Sequence, residues 1–242
     1  VRSYVLRWLL FKLSGEIIAQ SSEQQQLIKK NFGVSSKILP NFINPGRFIA
    51  SKGGDRFEDR SIDVVWVGTV EPRKGLERVI AIAVSLPELQ FVVIGKPDDL
   101  HMDYGERLLD EMDKLPNVKV MGYVQPNLIG DILATSKILI NTSKKIESGV
   151  TKEGFPNVFL EAWEFGSLVL SMGIDPDALI SSAGLGTLCD TQEQAVELIS
   201  QYIGDPKIWE VKSKKALEFV STRDVTCSMV RKEIIRILDV AG

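Results

Sequence analysis

Two glutamates, Glu153 and Glu161, stand eight residues apart in KEGFPNVFLEAWEFG, Lys152 to Gly166, on either side of a helix start marked by Pro156. Proline suits the first helical turn because its missing N–H would go unused there. This leaves the N–H groups of Asn157, Val158 and Phe159 pointing out of the helix end. Such an end attracts anions, and Gly154 lets a phosphate or a sugar hydroxyl approach the backbone with no side chain in the way. Glu161 lies about one turn inside the helix and reaches back toward its start. Its carboxylate can accept two hydrogen bonds from a vicinal diol such as a ribose, while Glu153 can hold other hydroxyls. A plainer reading stands beside this one: two glutamates near a helix start complement its dipole, worth about 0.3–1 kcal/mol.

A second segment, VVWVGTVEPRKGLERVI, runs from an apolar strand into Gly68, then a short polar loop, then Lys74 and Gly75 at the opening of a helix. Parallel sheets bind ligands at the carboxyl ends of their strands, so Lys74 and the Glu153 turn would face one crevice. There Arg73 and Lys74 can neutralise a diphosphate, whose charge grows as it leaves. The plain alternative is a solvated pair of cations on a loop.

These residues need a scaffold, and the chain alternates short β-branched runs with helical stretches in the manner of βαβ units. The strands expected are 63–70, 90–94, 118–121, 138–141, 168–171 and 186–188. The helices are 76–85, 102–115, 126–134, 156–165, 192–202, 206–220 and 224–240. Continuous apolar runs such as VVWV and FVVI belong to strands covered on both faces, hence an α/β fold with a doubly wound parallel, Rossmann-like sheet. Ahead of it, 16–20 reads as a strand, 22–31 as a helix and 37–43 as an extended piece entering the turn Asn44-Pro45-Gly46. Residues 1–49 are expected to be the remnant of an N-terminal domain and an interdomain passage, 50–60 a linker or exposed loop, and 61–242 the ligand-binding domain.

Composition narrows the partners. The 242 residues carry 29 Lys plus Arg against 32 Asp plus Glu, a formal charge of −3, with 44% hydrophobic and 25% charged residues. Near-balanced charge and a pI near 5.4 argue against a nucleic-acid binder. Two distant cysteines, Cys189 and Cys227, make no zinc site and suit a reducing compartment. No apolar run reaches the roughly 18 residues of a membrane span.

The ordered set strand-G-x-x-x-x-x-K-G, strand-I-G-K-P, V-x-V-M-G-Y-V, strand-N-T-S and E-G-F-P-N-V-F-L-E-A resembles the C-terminal, donor-binding half of GT-B retaining glycosyltransferases, the family 4, glycogen-synthase-like group. The likeness runs from Ile17 nearly to the C-terminus, because IIAQSSEQQQLIKKNFGVSSKILPNFINPGRF is similar to that family's interdomain passage. The resemblance implies a hexosyltransferase-type enzyme taking a UDP- or GDP-sugar, without a cofactor or metal. Lys74 matches the diphosphate-binding lysine, Glu153 the first glutamate of the paired motif, which contacts the donor sugar, and Glu161 the second, which binds ribose. Glu153 and Lys74 are the catalytic candidates. Gly68, Thr69, Arg73, Gly95, Lys96, Tyr123, Val124, Gly154, Phe155, Pro156, Asn157 and Val158 complete the donor site, the Gly95 to Pro97 and Tyr123 to Gln125 loops flanking base and ribose. The family's habits further imply a glycan or glycolipid acceptor held by a largely absent N-terminal domain, so that the isolated chain is inactive. They also imply a role in polysaccharide assembly, in the cytoplasm or at the inner membrane face.

The chain departs from the pattern at Thr69, where many members carry arginine. A hydroxyl cannot replace a forked cation. Either Arg73 takes over, or diphosphate binding weakens, or the donor is held differently. A non-catalytic scaffold or regulatory module with a decayed cleft, and a sugar-nucleotide epimerase, therefore remain alternatives. Lys144 to Lys152 is longer than the pattern expects and reads as an insertion or a lid. His101 is expected to be solvent-exposed on a loop or helix start. Asp175-Pro176-Asp177 reads as a turn and helix cap rather than a metal site, and Asn141-Thr142-Ser143 as a strand end rather than a glycosylation site. The leading segment, with Val5, Leu9 and Leu10, either packs on another domain or rests on an anionic membrane surface.

Overall fold

A computed structural model describes residues 10, 12–39, 41–42, 56–144, 154–222 and 227–240. Two short strands, β1 (Ile18–Ala19) and β2 (Lys37–Ile38), pair in parallel around helix α1 (Ser22–Phe32). Six strands then form a parallel sheet: β3 (Ile62–Val67), β4 (Phe91–Ile94), β5 (Val118–Gly122), β6 (Ser136–Asn141), β7 (Leu168–Ser171) and β8 (Gly186–Leu188). Their spatial order is β5-β4-β3-β6-β7-β8. The chain thus builds outward from β3 in one direction and then, from β6, in the other, which is the doubly wound arrangement expected from the sequence.

The helices between them are α2 (Leu76–Ser85), α3 (Met102–Met112), α4 (Ile129–Ala134), α5 (Asn157–Glu164), α6 (Gln192–Gly204), α7 (Pro206–Thr222) and α8 (Cys227–Val240). Strand alternation sorts the core onto two faces. Val64, Trp66, Phe91, Val93, Ile138 and Ile140 pack with Leu76, Val79 and Ile82 of α2, Leu108 of α3 and Ile199 of α6. Val65, Val92, Leu139 and Val169 face the other way, onto Ile129 and Leu133 of α4 and Phe159, Leu160 and Trp163 of α5. Both faces are covered, so the strands need no polar alternation.

The expected elements shift mainly at their ends. Helix α3 stops at Met112, and residues 126–128 form a 3-10 turn ahead of α4. In the loop expected to be exposed, Arg56, Glu58 and Asp59 are exposed but two residues turn inward: Phe57 is buried edge-on against Trp209, and Arg60 is 4% exposed. The Arg60 guanidinium donates to the carbonyls of Ser136 and Phe165, each at 2.6 Å, and lies over the Trp209 ring. A charged group can be buried here because carbonyl dipoles and an aromatic face replace its water. The Asn44-Pro45-Gly46 turn, residues 50–55, Val5 and Leu9 lie outside the described residues. Leu10 is exposed. Among the described residues no helix is long and apolar enough to cross a membrane.

Candidate functional site

The crevice of a doubly wound sheet opens where its winding reverses, here at the carboxyl ends of β3 and β6. The Gly68–Gly75 loop leaves β3 there, and Asn141, Thr142 and Ser143 end β6 beside it. Thr142 is fully buried and joins the two: its hydroxyl accepts from Trp66 Nε1 at 3.1 Å and donates to the Lys74 carbonyl at 2.8 Å. Lys144 N–H donates to the Arg73 carbonyl at 2.8 Å. Gly75 sits at φ +65°, and a Cβ on it would stand 2.4 Å from the Thr142 carbonyl oxygen. Glycine is required there both for the left-handed turn and for the close approach. Asn141 is buried as well, its Oδ1 accepting from Ser143 N–H, in keeping with a strand end.

The neighbouring loops meet this one. Gly68 N–H donates to the Ile94 carbonyl, Val70 N–H to Lys96, and Gly95 N–H to Gly122. These bonds place the loops that carry Gly95–Lys96 and Tyr123–Val124 next to that of Gly68–Thr69 in succession. Tyr123 is 64% exposed, with the Lys96 ammonium 5.6 Å from its ring centroid. Arg73 is not held ready as an isolated cation: its guanidinium pairs with Glu71 at 2.6 Å. Glu71 also borders Asp98 and His101, the three offering ligand atoms within 4.8 Å of one another. His101 stands at the start of α3, as expected, and is half-buried there, with its Nδ1 bonded to Asp98 at 2.6 Å.

The second turn begins α5. Pro156 occupies the cap position, one residue earlier than expected, and its carbonyl accepts from Phe159 N–H at 3.0 Å. Of the three N–H groups expected at the opening, that of Phe159 is therefore spent, leaving those of Asn157 and Val158. Phe155 turns inward onto Trp163, so only its backbone can meet a ligand. Glu161 is 7% exposed, one turn inside the helix. Glu153 and residues 145–152 of the stretch read as an insertion or a lid lie outside the described residues.

Several contacts were illegible in the sequence. Asn41 Nδ2 donates to the Phe155 carbonyl at 2.9 Å and to Asn157 Oδ1 at 2.7 Å, tying the N-terminal segment to this turn. Asp177 Oδ1 accepts from Ser22 N–H at 2.9 Å and from its hydroxyl, capping α1 across 155 residues. Asp175 accepts from Ile180 N–H and Ser181, so the D-x-D triplet does serve as turn and cap. Within its own segment, Ser21 caps α1 by accepting from Gln24 N–H at 3.2 Å.

A family model described as glycosyl transferases group 1 matches residues 50–218. Among solved structures, the chain is similar to HepE of Anabaena in complex with UDP and glucose, at 20% identity and a TM-score of 0.77, covering 99% of this chain and 67% of that one. Sucrose-phosphate synthase of Thermosynechococcus elongatus aligns at 16% identity and a TM-score of 0.78, over 99% of this chain and 62% of that one. The C-terminal domain of a group 1 glycosyl transferase, LpcC of Francisella tularensis, aligns at 19% identity and a TM-score of 0.56, over 73% of this chain and 94% of that one. The chain thus spans about two thirds of the HepE chain. No curated protein matches its sequence.

Proposed function

The chain belongs to the glycosyl transferases group 1 family, which its match over residues 50–218 establishes, and on that premise we propose that it is the donor-binding half of a retaining, family 4-type glycosyltransferase. It takes a UDP- or GDP-sugar at the carboxyl ends of β3 and β6. Lys74 holds the donor diphosphate together with the N–H groups of Asn157 and Val158. Glu161 accepts from the ribose diol, Glu153 contacts the sugar, and the loops at Gly95–Lys96 and Tyr123–Val124 flank the base. As the sugar–phosphate bond breaks, negative charge gathers on the leaving diphosphate. Donors already fixed there stabilise that charge without reorganising.

The observation that carries this reading is the Thr142 link, which fastens the Lys74 turn to the end of β6 at the reversal of the sheet. The UDP and UDP-glucose held by HepE support a uridine donor. Thr69 supplies no charge, and Arg73 is shared with Glu71, so Lys74 bears most of the phosphate recognition. The acceptor, a glycan or glycolipid, is held by an N-terminal domain for which residues 1–49 are the remnant, and the enzyme works in the cytoplasm or at the inner membrane face. The 242-residue chain alone then binds nucleotide but transfers little sugar.

Calorimetric titration with UDP, GDP and ADP tests the donor site. One nucleotide binds saturably to the wild-type chain, and Lys74→Ala and Glu161→Ala each weaken it about tenfold or more, the scale of a lost charged hydrogen bond. Binding of none by the folded chain marks a decayed cleft and a scaffold role.

A further inference from the structure

The lack of a side chain at Gly154 makes room for two amides from the N-terminal segment. A Cβ at position 154 would stand 2.6 Å from Gln20 Oε1 and 2.7 Å from Gln24 Nε2. We propose that Gln20 and Gln24 bind hydroxyls of the donor sugar over the Gly154 turn and so determine which sugar the site accepts, an inference that rests on the donor-site reading.

The orientation of Gln24 is fixed by its own segment. Its Oε1 accepts from Gln20 N–H at 2.9 Å, which leaves Nε2 as the atom facing the turn. Helix α1, which carries Gln24, is capped by Ser21 at one position and moored by Asp177 through Ser22. Asp177 and Ala178 hold φ values of 52° and 55°, a conformation non-glycine residues seldom adopt, and together they aim that carboxylate at the helix start. Asn41 adds a second tie from the same segment to Phe155 and Asn157. The amides are thus carried on a fastened element rather than a loose arm.

Their chemistry points to the sugar rather than the diphosphate. A carboxamide offers both donor and acceptor, as a hydroxyl does, whereas a phosphate only accepts. Among the described residues, no side-chain hydrogen bond engages the Gln20 amide or Gln24 Nε2. Both are neutral, so they add selectivity by geometry without competing for the charge that Lys74 meets.

The test titrates the wild-type chain, Gln20→Ala and Gln20→Ala/Gln24→Ala with UDP, UDP-glucose, UDP-galactose, UDP-N-acetylglucosamine, GDP and GDP-mannose. The double variant should lose about tenfold or more in affinity for the preferred nucleotide sugar, while the parent nucleotide changes by less than about twofold. Gln20→Ala, whose side chain supports no helix bond, should show the same split to a smaller degree and guards against a folding defect. If wild-type binds no nucleotide, the donor-site reading falls and takes this inference with it. If nucleotide binds but the variants leave the sugar's affinity unchanged, or weaken nucleotide and nucleotide sugar alike, this inference alone is overturned.

Discussion

The two ends of the sheet use polar residues in opposite ways. At the amino ends, polar groups are buried and spent on the protein itself. Arg60 serves the Ser136 and Phe165 carbonyls, Asn117 Nδ2 reaches those of Ala83, Leu86 and Leu89, and Lys137 pairs with Asp63 at 2.7 Å. At the carboxyl ends, Gly75 and Gly95 let the backbone of one loop approach that of another, and the Tyr123 ring stands exposed beside the Lys96 ammonium. One end closes the fold and the other gathers the loops of the proposed donor site. An activity hypothesis that placed chemistry at Arg60 because it is a buried cation would therefore mistake a structural clamp for a site.

This contrast can be broken by substitution. Arg60→Ala should cost about 3 kcal/mol of stability, because the Ser136 and Phe165 carbonyls each lose a charged donor and a cavity opens beneath Trp209; urea unfolding reads the loss, and nucleotide affinity of the folded fraction should stay unchanged. Gly75→Ala should cost about 2 kcal/mol from its left-handed φ and the clash with the Thr142 carbonyl. Unlike Arg60→Ala, it should also weaken nucleotide binding, since it displaces the turn that carries Lys74. Lys74→Ala should do the reverse of Arg60→Ala: a binding loss of about 1.5–3 kcal/mol with stability within about 0.5 kcal/mol of wild type.

The smallest effect sharpens the contrast by pH. Burial alone would raise the Glu77 carboxyl, but hydrogen bonds from Lys144 and Tyr104 outweigh it, and the net direction is downward. A depressed folded value means that its stabilisation is present above the unfolded carboxylate pKa of about 4.3 and is lost as pH falls through the folded value. The group is partly exposed, so the contribution should stay below about 1 kcal/mol and shrink in salt. Glu77→Gln should flatten that part of the acid unfolding profile. The Cys189 thiol, pushed up to about 11 chiefly by burial, should remain inert to thiol reagents at neutral pH in the native chain.

The strands were legible because each is a short apolar run closed by glycine or polar residues, and the covered sheet followed from VVWV and FVVI. Their spatial order was not spelled out residue by residue, since pairing of β3 with β6 joins segments some seventy residues apart. At the crevice, Lys74 and the Gly154–Asn157 turn were readable as local patterns. The links that set their geometry were not: Thr142 to Lys74, Asn41 to Phe155 and Gln20 to Gly154 are meetings of distant segments whose residue types are ordinary. Arg60 was hidden for the same reason, a charged residue in a polar stretch whose burial depends on carbonyls from other loops. The pairings of Arg73 with Glu71 and of His101 with Asp98 were not read either, although the partners lie nearby in sequence.

The most direct measurement is a crystal structure of the chain with the nucleotide diphosphate that titration selects. The account predicts the diphosphate within hydrogen-bond distance of Lys74 Nζ and of the Asn157 and Val158 N–H groups, with the ribose on Glu161. A nucleotide bound elsewhere, with the phosphates remote from both Lys74 and the start of α5, would contradict it.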